Sequence, residues 1–314
     1  MLRCAVLDDY QGVALGLADW SRVRAQSFRG HFTDRDELVA ALHDYEIVVA
    51  MRERTPFPAE VLDRLPNLRL LITTGMRNAA IDLDAARARG VTVCGTGSGS
   101  APPVELTWAL ILGLSRHLVS ESTALRAGGP WQSTLGTDLH GRTLGLLGLG
   151  KIGSRMAEIG RAFGMDVVAW SQNLTRERTD ALGVRLAPGK DALLAEADIV
   201  SVHLVLSERT RGLIGERELS LMRPDAYLVN TSRAAIVDQE ALAAALQAGR
   251  IAGAGLDVFE TEPLPAGHEL RTLPNVLATP HLGYVTELNY RTYFREAVED
   301  IDAFLAGAPV RRLA

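Results

Sequence analysis

The stretch LGLLGLGKIGSRMAEIGRAFGMDVVAWSQN, Leu144 to Asn173, constrains this chain more than any other part of it. A continuous apolar run leads into three glycines, Gly148, Gly150 and Gly153, spaced G-x-G-x-x-G. Ile152, Met156, Ile159 and Phe163 then recur at helical spacing, and a second β-rich run, DVVAW, follows. Strand, tight turn, helix and parallel strand make one βαβ unit. Such a unit must sit in a larger sheet with both faces covered, so a doubly wound α/β fold is expected. In that setting Gly148 permits the tight turn, Gly150 lets a diphosphate approach the backbone, and Gly153 lets the helix lie close to the strand. The first helical turn, Lys151, Ile152, Gly153 and Ser154, offers free N–H groups and a positive dipole end to phosphates. The four spaced apolar residues are expected to pack in the core.

The same alternation fills the rest of the 314 residues, a length that predicts two domains. Before residue 100 the expected strands are CAVLD (4–8), EIVVA (46–50), LRLLITT (68–74) and VTVCG (91–95). Beyond 141 they are TLGLLG (143–148), DVVAW (166–170), DIVSVHLV (198–205), AYLVNTS (226–232), AGAGLDV (252–258) and NVLATP (275–280). Between the two series, GTGSGSAPP (95–103) is small, glycine-rich and ends in two prolines, which suits a hinge followed by a helix start. One long helix is expected near Pro103–Arg126. DQEALAAALQAG (238–249) carries its own start and stop, Asp238 as N-cap and Gly249 at the end. The expected architecture is two doubly wound parallel-sheet domains: a dinucleotide-binding Rossmann domain over 101–282, and a flavodoxin-like substrate domain from 1–100 and 283–314, with a cleft between.

The formal net charge of −5 argues against a nucleic-acid partner, which needs a basic stripe. Cys4 and Cys94 both lie in apolar runs and match no disulfide framework or metal spacing, so a reducing cytoplasm and no metal are expected. Met1 opens almost directly into a strand, and the most apolar helix candidate, Val104–Val119, is too short for a bilayer. No membrane association is expected.

The second strand of the βαβ unit ends at Trp170, so Ser171 stands where an acid usually binds the ribose hydroxyls and repels a 2′-phosphate. Serine can bond a hydroxyl and repels nothing. No arginine adjoins Ser171, although Arg176 and Arg178 are near. NAD is the expected cofactor, with NADP left open.

Three further stretches lie beyond strand ends of the same sheet, on the edge where open α/β sheets bind ligands. NTSRAAIVDQEAL (230–242) presents Arg233. GAGLDVFETEPLP (253–265) presents Asp257 and Glu262. TPHLGYVT (279–286) presents His281. Together with the glycine turn, with LRLLITTGMRNAAIDLDAARARGVTVCGT, with DLHGRTLGLLGLGKIG and with SVHLVLSERTRGLI, these resemble the signatures of the D-isomer-specific 2-hydroxyacid dehydrogenases over nearly the whole chain. The resemblance implies a catalytic set of Arg233, Glu262 and His281. It implies cofactor contacts from Gly148, Gly150, Lys151, Ile152, Gly153, Ser171, His203, Thr231, Asp257 and Gly283, with Asp257 on the nicotinamide amide. It also implies a homodimer formed through the helix near Pro103–Arg126, and domain closure about 95–103 and 282–290.

The chemistry of the three side chains can be argued independently. Reducing a 2-keto acid needs hydride at carbon and a proton at oxygen. A histidine suits the proton step, an acid on its other ring nitrogen favours the protonated form, and an arginine can fork onto carbonyl and carboxylate oxygens. Glu262 in place of a Gln separates the chain from formate dehydrogenase. The substrate loop TTGMRNAAID departs from the family's smaller residues. Backbone N–H groups around Gly75, Met76 and Arg77 could grip a carboxylate as an anion nest. Arg77 and Arg52 are each open to substrate contact or to solvent. The function expected is hydride transfer between NAD(P)H and C2 of a small 2-keto or 2-hydroxy acid. Phosphoglycerate dehydrogenase, glyoxylate or hydroxypyruvate reductase, and a non-catalytic NAD(H)-sensing protein of co-repressor type are the alternatives.

Overall fold

The computed structural model describes all residues, 1–314. They fall into two units, Met1–Gly99 with Val285–Ala314, and Ser100–Tyr284.

The first unit holds a five-stranded parallel sheet: β1 (Arg3–Val6), β2 (Arg24–Ser27), β3 (Ile47–Ala50), β4 (Leu70–Thr73) and β5 (Thr92–Gly95). The order β2-β1-β3-β4-β5 places a switch point between β1 and β3, as in flavodoxin-like sheets. Strands β3 and β4 are buried along their whole length, which explains their unbroken apolar runs. Strand β2 reads RAQS and escaped the sequence reading. It is an edge strand without a buried residue, so it has no apolar signature. Asp34 caps the helix Arg35–Leu42 by accepting from Asp36 and Glu37 N–H, and Asp82 caps Leu83–Ala88 by accepting from Ala85 N–H. Leu38, Leu42, Val61 and Leu62 pack with Val48, Leu71 and Val93. Each fully buried aliphatic side chain contributes about 1.5–3 kcal/mol. Thr286 caps the last helix, Glu287–Leu305, whose Tyr293, Phe294 and Ala297 are fully buried. The tail then returns along β5, with a bridge between Cys94 and Arg312 and Leu313 N–H donating to Val93 O at 2.7 Å.

The second unit holds seven parallel strands: β6 (Thr143–Leu147), β7 (Asp166–Trp170), β8 (Arg185–Leu186), β9 (Ile199–Val202), β10 (Tyr227–Asn230), β11 (Gly253–Leu256) and β12 (Val276–Ala278). Their order is β12-β11-β10-β9-β6-β7-β8, a Rossmann winding with its switch point between β6 and β9. Only β8 was missed from sequence; two residues are too few for a periodicity. One face is covered by the helices Lys190–Glu196, Glu216–Leu221 and Gln239–Gln247, through Leu193, Leu219, Leu242 and Leu246. The other is covered by Ala101–Ser115 and Lys151–Ala162, through Val104, Trp108, Ile111, Met156 and Ala157. Asp238 caps its helix as expected, accepting from Ala241 N–H.

The single helix expected near Pro103–Arg126 is two. Ala101–Ser115 ends in a tightened turn, with His117 N–H donating to Leu114 O, and His117 takes a left-handed φ of 50°. Leu118–Arg126 therefore leaves in a new direction and buries none of its residues. Periodicity cannot report a break that needs one residue in an unusual conformation. No helix is long and apolar enough to cross a membrane.

Candidate active site

The glycine turn has the geometry its spacing predicts. Gly148 follows β6 at φ +104°, and a Cβ there would meet His203 O at 2.6 Å. At Gly153 a Cβ would fall 2.1 Å from Gly148 O, so the helix can approach the strand only without a side chain. Gly150 differs: an added Cβ meets nothing within 4 Å. That open space above the N-cap of Lys151–Ala162 is what a diphosphate needs to reach backbone N–H groups. Of the four apolar helix residues, Met156 is fully buried, and Ile152 and Ile159 are half-buried in the core. Phe163 is 38% exposed and leans on Trp108, ring centroids 5.0 Å apart. It sits at the helix C-cap, past the last inward turn.

Strand register sets the level of the other functional loops. Asn230, Leu256 and Ala278 lie side by side at the ends of β10, β11 and β12, and Leu147, Val202 and Asn230 do so across β6, β9 and β10. Neighbouring strands are about 4.8 Å apart, so the loops bearing Arg233, Glu262 and His281 leave one sheet edge at one height, level with the glycine turn.

Each loop is held by its own hydrogen bonds. Asn230, buried, accepts from Ser232 N–H at 3.0 Å and donates to Arg233 O at 3.0 Å. Ser232 Oγ donates to Leu204 O at 2.6 Å, and Arg233 Nη1 to Ser232 O at 2.9 Å. Glu262 Oε1 accepts from Phe259 N–H at 2.9 Å, which fixes one carboxylate oxygen. The other, Oε2, lies 2.6 Å from His281 Nδ1. Both side chains of this pair are about one-fifth exposed, so their attraction is only partly screened by solvent. His281 holds a left-handed φ of 53°, and its ring meets Tyr284 edge-on at 5.5 Å. A non-glycine residue in that region is held by its surroundings. Glu260, the other acid of the loop, is exposed and donates its N–H to Gln239 Oε1.

Two of the residues expected at the cofactor also brace the scaffold. Asp257 is fully buried. Its carboxylate accepts from Thr279 Oγ1 (2.6 Å), Leu282 N–H (2.7 Å) and Gly283 N–H (2.8 Å), so it ties the His281 loop to the end of β11. Burial raises its pKa against those donors. Gly283 is spent on the same carboxylate. Thr231 Oγ1 lies 2.7 Å from Thr107 Oγ1, whose hydroxyl also donates to Pro103 O. His203 stands after β9 with Nε2 2.8 Å from Ser201 Oγ, and burial pushes its imidazole down to about 4, so it is neutral near pH 7.

In the first unit the expected anion nest is smaller than its sequence suggested. Gly75, at φ +108°, donates its N–H to Thr96 Oγ1 at 3.0 Å. Thr96 is distant in sequence but on the neighbouring strand's end, so only the fold reveals the loss of this donor. Met76 and Arg77 remain exposed, with N–H groups that meet no acceptor in the chain. Arg52, at φ 53°, donates to Thr74 O at 3.1 Å and lies over Gly75, where a Cβ would come within 1.9 Å of its Nη1. Asn78 escaped the sequence reading. Its amide braces this loop by donating to Arg52 O (2.7 Å) and Thr73 Oγ1 (2.9 Å), a role for which a lone Asn gives no signal. Asn230 and Tyr284 were missed for the same reason.

Residues 108–283 match the family model described as "D-isomer specific 2-hydroxyacid dehydrogenase, NAD binding domain". The chain is 42% identical over 257 residues to a glyoxylate reductase of Aeropyrum pernix, covering 79% of this chain and 76% of that one. It is 35% identical over 272 residues to a D-3-phosphoglycerate dehydrogenase of Bacillus subtilis, covering 86% of this chain and 51% of that one. The chain thus spans about half the length of that dehydrogenase. The crystal structure of a phosphoglycerate oxidoreductase from Vibrio cholerae O395 superposes with a TM-score of 0.94 at 40% identity, covering 98% of this chain and 100% of that one.

Proposed function

The chain belongs to the D-isomer-specific 2-hydroxyacid dehydrogenase family, and on that premise we propose that it interconverts a small 2-keto acid and its D-2-hydroxy acid with a nicotinamide dinucleotide. The observation that carries the reading is the 2.6 Å contact between His281 Nδ1 and Glu262 Oε2, beside the Arg233 loop on the sheet edge that bears the glycine turn. The open backbone at Gly150 fits a dinucleotide diphosphate, with Lys151, Ile152 and Gly153 supplying the first helical turn. When bound, the dinucleotide gives or takes the hydride at C2. With Nδ1 committed to Glu262, proton exchange with the substrate oxygen falls to His281 Nε2. Glu262 stabilises the imidazolium form that donates. Arg233 orients the substrate by its fork and polarises the carbonyl as negative charge develops on oxygen. The N–H groups of Met76 and Arg77, with Arg52 beside them, are assigned to a substrate carboxylate.

We also assign a homodimer. Leu118, Val119 and Leu125 on the second of the two helices, with Trp131 and Leu135 beyond it, are large apolar side chains more than half exposed, which supports burial against a second copy. The buried thiols of Cys4 and Cys94 suit a reducing cytoplasm.

The test is oxidation of NADH and of NADPH in the presence of glyoxylate, hydroxypyruvate, 3-phosphohydroxypyruvate and pyruvate. Turnover on at least one is expected, and loss of most of it in His281→Ala and Arg233→Ala, with coenzyme binding retained. Coenzyme binding without turnover on any keto acid would replace the enzyme by a dinucleotide-sensing protein.

A further inference from the structure

We infer that Arg178 is a counter-charge for a 2′-phosphate on the adenosine ribose, so that the chain accepts NADPH at least as readily as NADH; this rests on the coenzyme reading above. The position that would forbid such a phosphate is neutral. Ser171 follows the end of β7 and carries no charge to repel it.

The chain then folds back on itself, with Leu174 N–H donating to Ser171 O at 3.1 Å, and Thr175 caps the short helix Arg176–Asp180. From that helix Arg178 reaches across to the glycine turn. Its Nη2 donates to Ser154 Oγ at 2.9 Å, and Ser154 Oγ donates in turn to Gly150 O at 2.7 Å. The guanidinium is therefore held against the first turn of the helix that follows Gly150, on the side facing the β7 loop.

Arg178 also differs in charge balance from several arginines of its unit. Arg155, Arg185, Arg217 and Arg223 in the same unit each pair with a carboxylate. Arg178 is exposed, has no carboxylate oxygen within 4 Å, and spends a single side-chain N–H on a neutral hydroxyl. A guanidinium has five N–H donors, so a planar fork is left to meet phosphate oxygens without an ion pair having to break first. Ser171 can add a hydroxyl donor to the same group.

The test needs no turnover. Isothermal titration of the full chain uses ADP-ribose and 2′-phospho-ADP-ribose, fragments that differ only in the phosphate. Wild type is expected to bind the phosphorylated fragment as tightly as the other, or more tightly. Arg178→Gln should weaken the phosphorylated fragment about tenfold, as loss of a charge-assisted contact does, while ADP-ribose changes little. Ser171→Asp should weaken the phosphorylated fragment by about two orders of magnitude through repulsion, and spare or favour ADP-ribose. The inference is overturned if wild type binds ADP-ribose alone, or if Arg178→Gln weakens both fragments alike. In either case the coenzyme reading stands. If neither fragment binds, that reading falls as well.

Discussion

Two alanine substitutions three residues apart should have opposite consequences. In Gly153→Ala the new Cβ would sit 2.1 Å from Gly148 O, against 3.4 Å for ordinary contact. The obstacle is backbone, at the end of β6, so helix and strand must part by about the 1.3 Å difference. Overpacking of this kind costs about 3 kcal/mol. Replacing glycine by alanine inside a helix returns about 1 kcal/mol. The net loss of about 2 kcal/mol should lower Tm by about 4–8 °C for a unit of this size. Gly150 has φ −79° and ψ −156°, a conformation alanine adopts, and open space around it. Gly150→Ala should leave Tm unchanged or raise it by about 1–2 °C. Its methyl group would instead occupy the approach of the diphosphate, weakening NADH binding by at least about tenfold. Differential scanning calorimetry and NADH fluorescence titration read the two effects separately. A Gly153→Ala protein melting with wild type, or a Gly150→Ala protein with undiminished NADH affinity, would refute the assignment of roles within the turn.

Three more outcomes can be measured. Glu262→Gln keeps the shape of the His281 partner and removes its charge. The lost stabilisation of about 1.5–3 kcal/mol should cut kcat/KM for keto-acid reduction by about 10- to 100-fold, and an undiminished value would exclude Glu262 from the proton step. Asp300 is fully buried, with Oδ1 on Arg311 Nε and Oδ2 without a partner; burial, partly offset by Arg311, pushes its carboxyl up to about 7. The folded state thus holds this proton more tightly than the unfolded chain does. Its contribution to stability is complete below about pH 4 and is lost as pH rises through about 7, so the Tm difference between Asp300→Asn and wild type should shift in favour of the variant over that window; a pH-independent difference counts against it. Leu118→Lys combined with Leu135→Lys should turn the proposed dimer into a monomer in sedimentation velocity, while a dimer of unchanged mass would place the subunit contact elsewhere.

Most of the strands, the glycine turn and the cap at Asp238 were legible in the chain itself. Each rests on a local rule: unbroken apolar runs for strands buried on both faces, helical spacing for their covers, and one polar side chain at a helix start. That Arg233, Glu262 and His281 stand on loops past the ends of strands in one sheet was legible too, since each sits in a recognisable signature. What escaped was whatever depends on partners distant in sequence or on a single unusual dihedral. The break at His117 needs a left-handed residue where spacing shows a continuing helix. The edge strands β2 and β8 carry no apolar pattern because one is unburied and the other is two residues long. Gly75 loses its N–H to Thr96 only because β4 and β5 lie side by side. Asp257 takes three donors from the next loop, partners that its own segment does not announce. Hydrogen-bond capacity is finite, so which acid or amide is left to meet a ligand is decided only when the folded neighbours have taken their share.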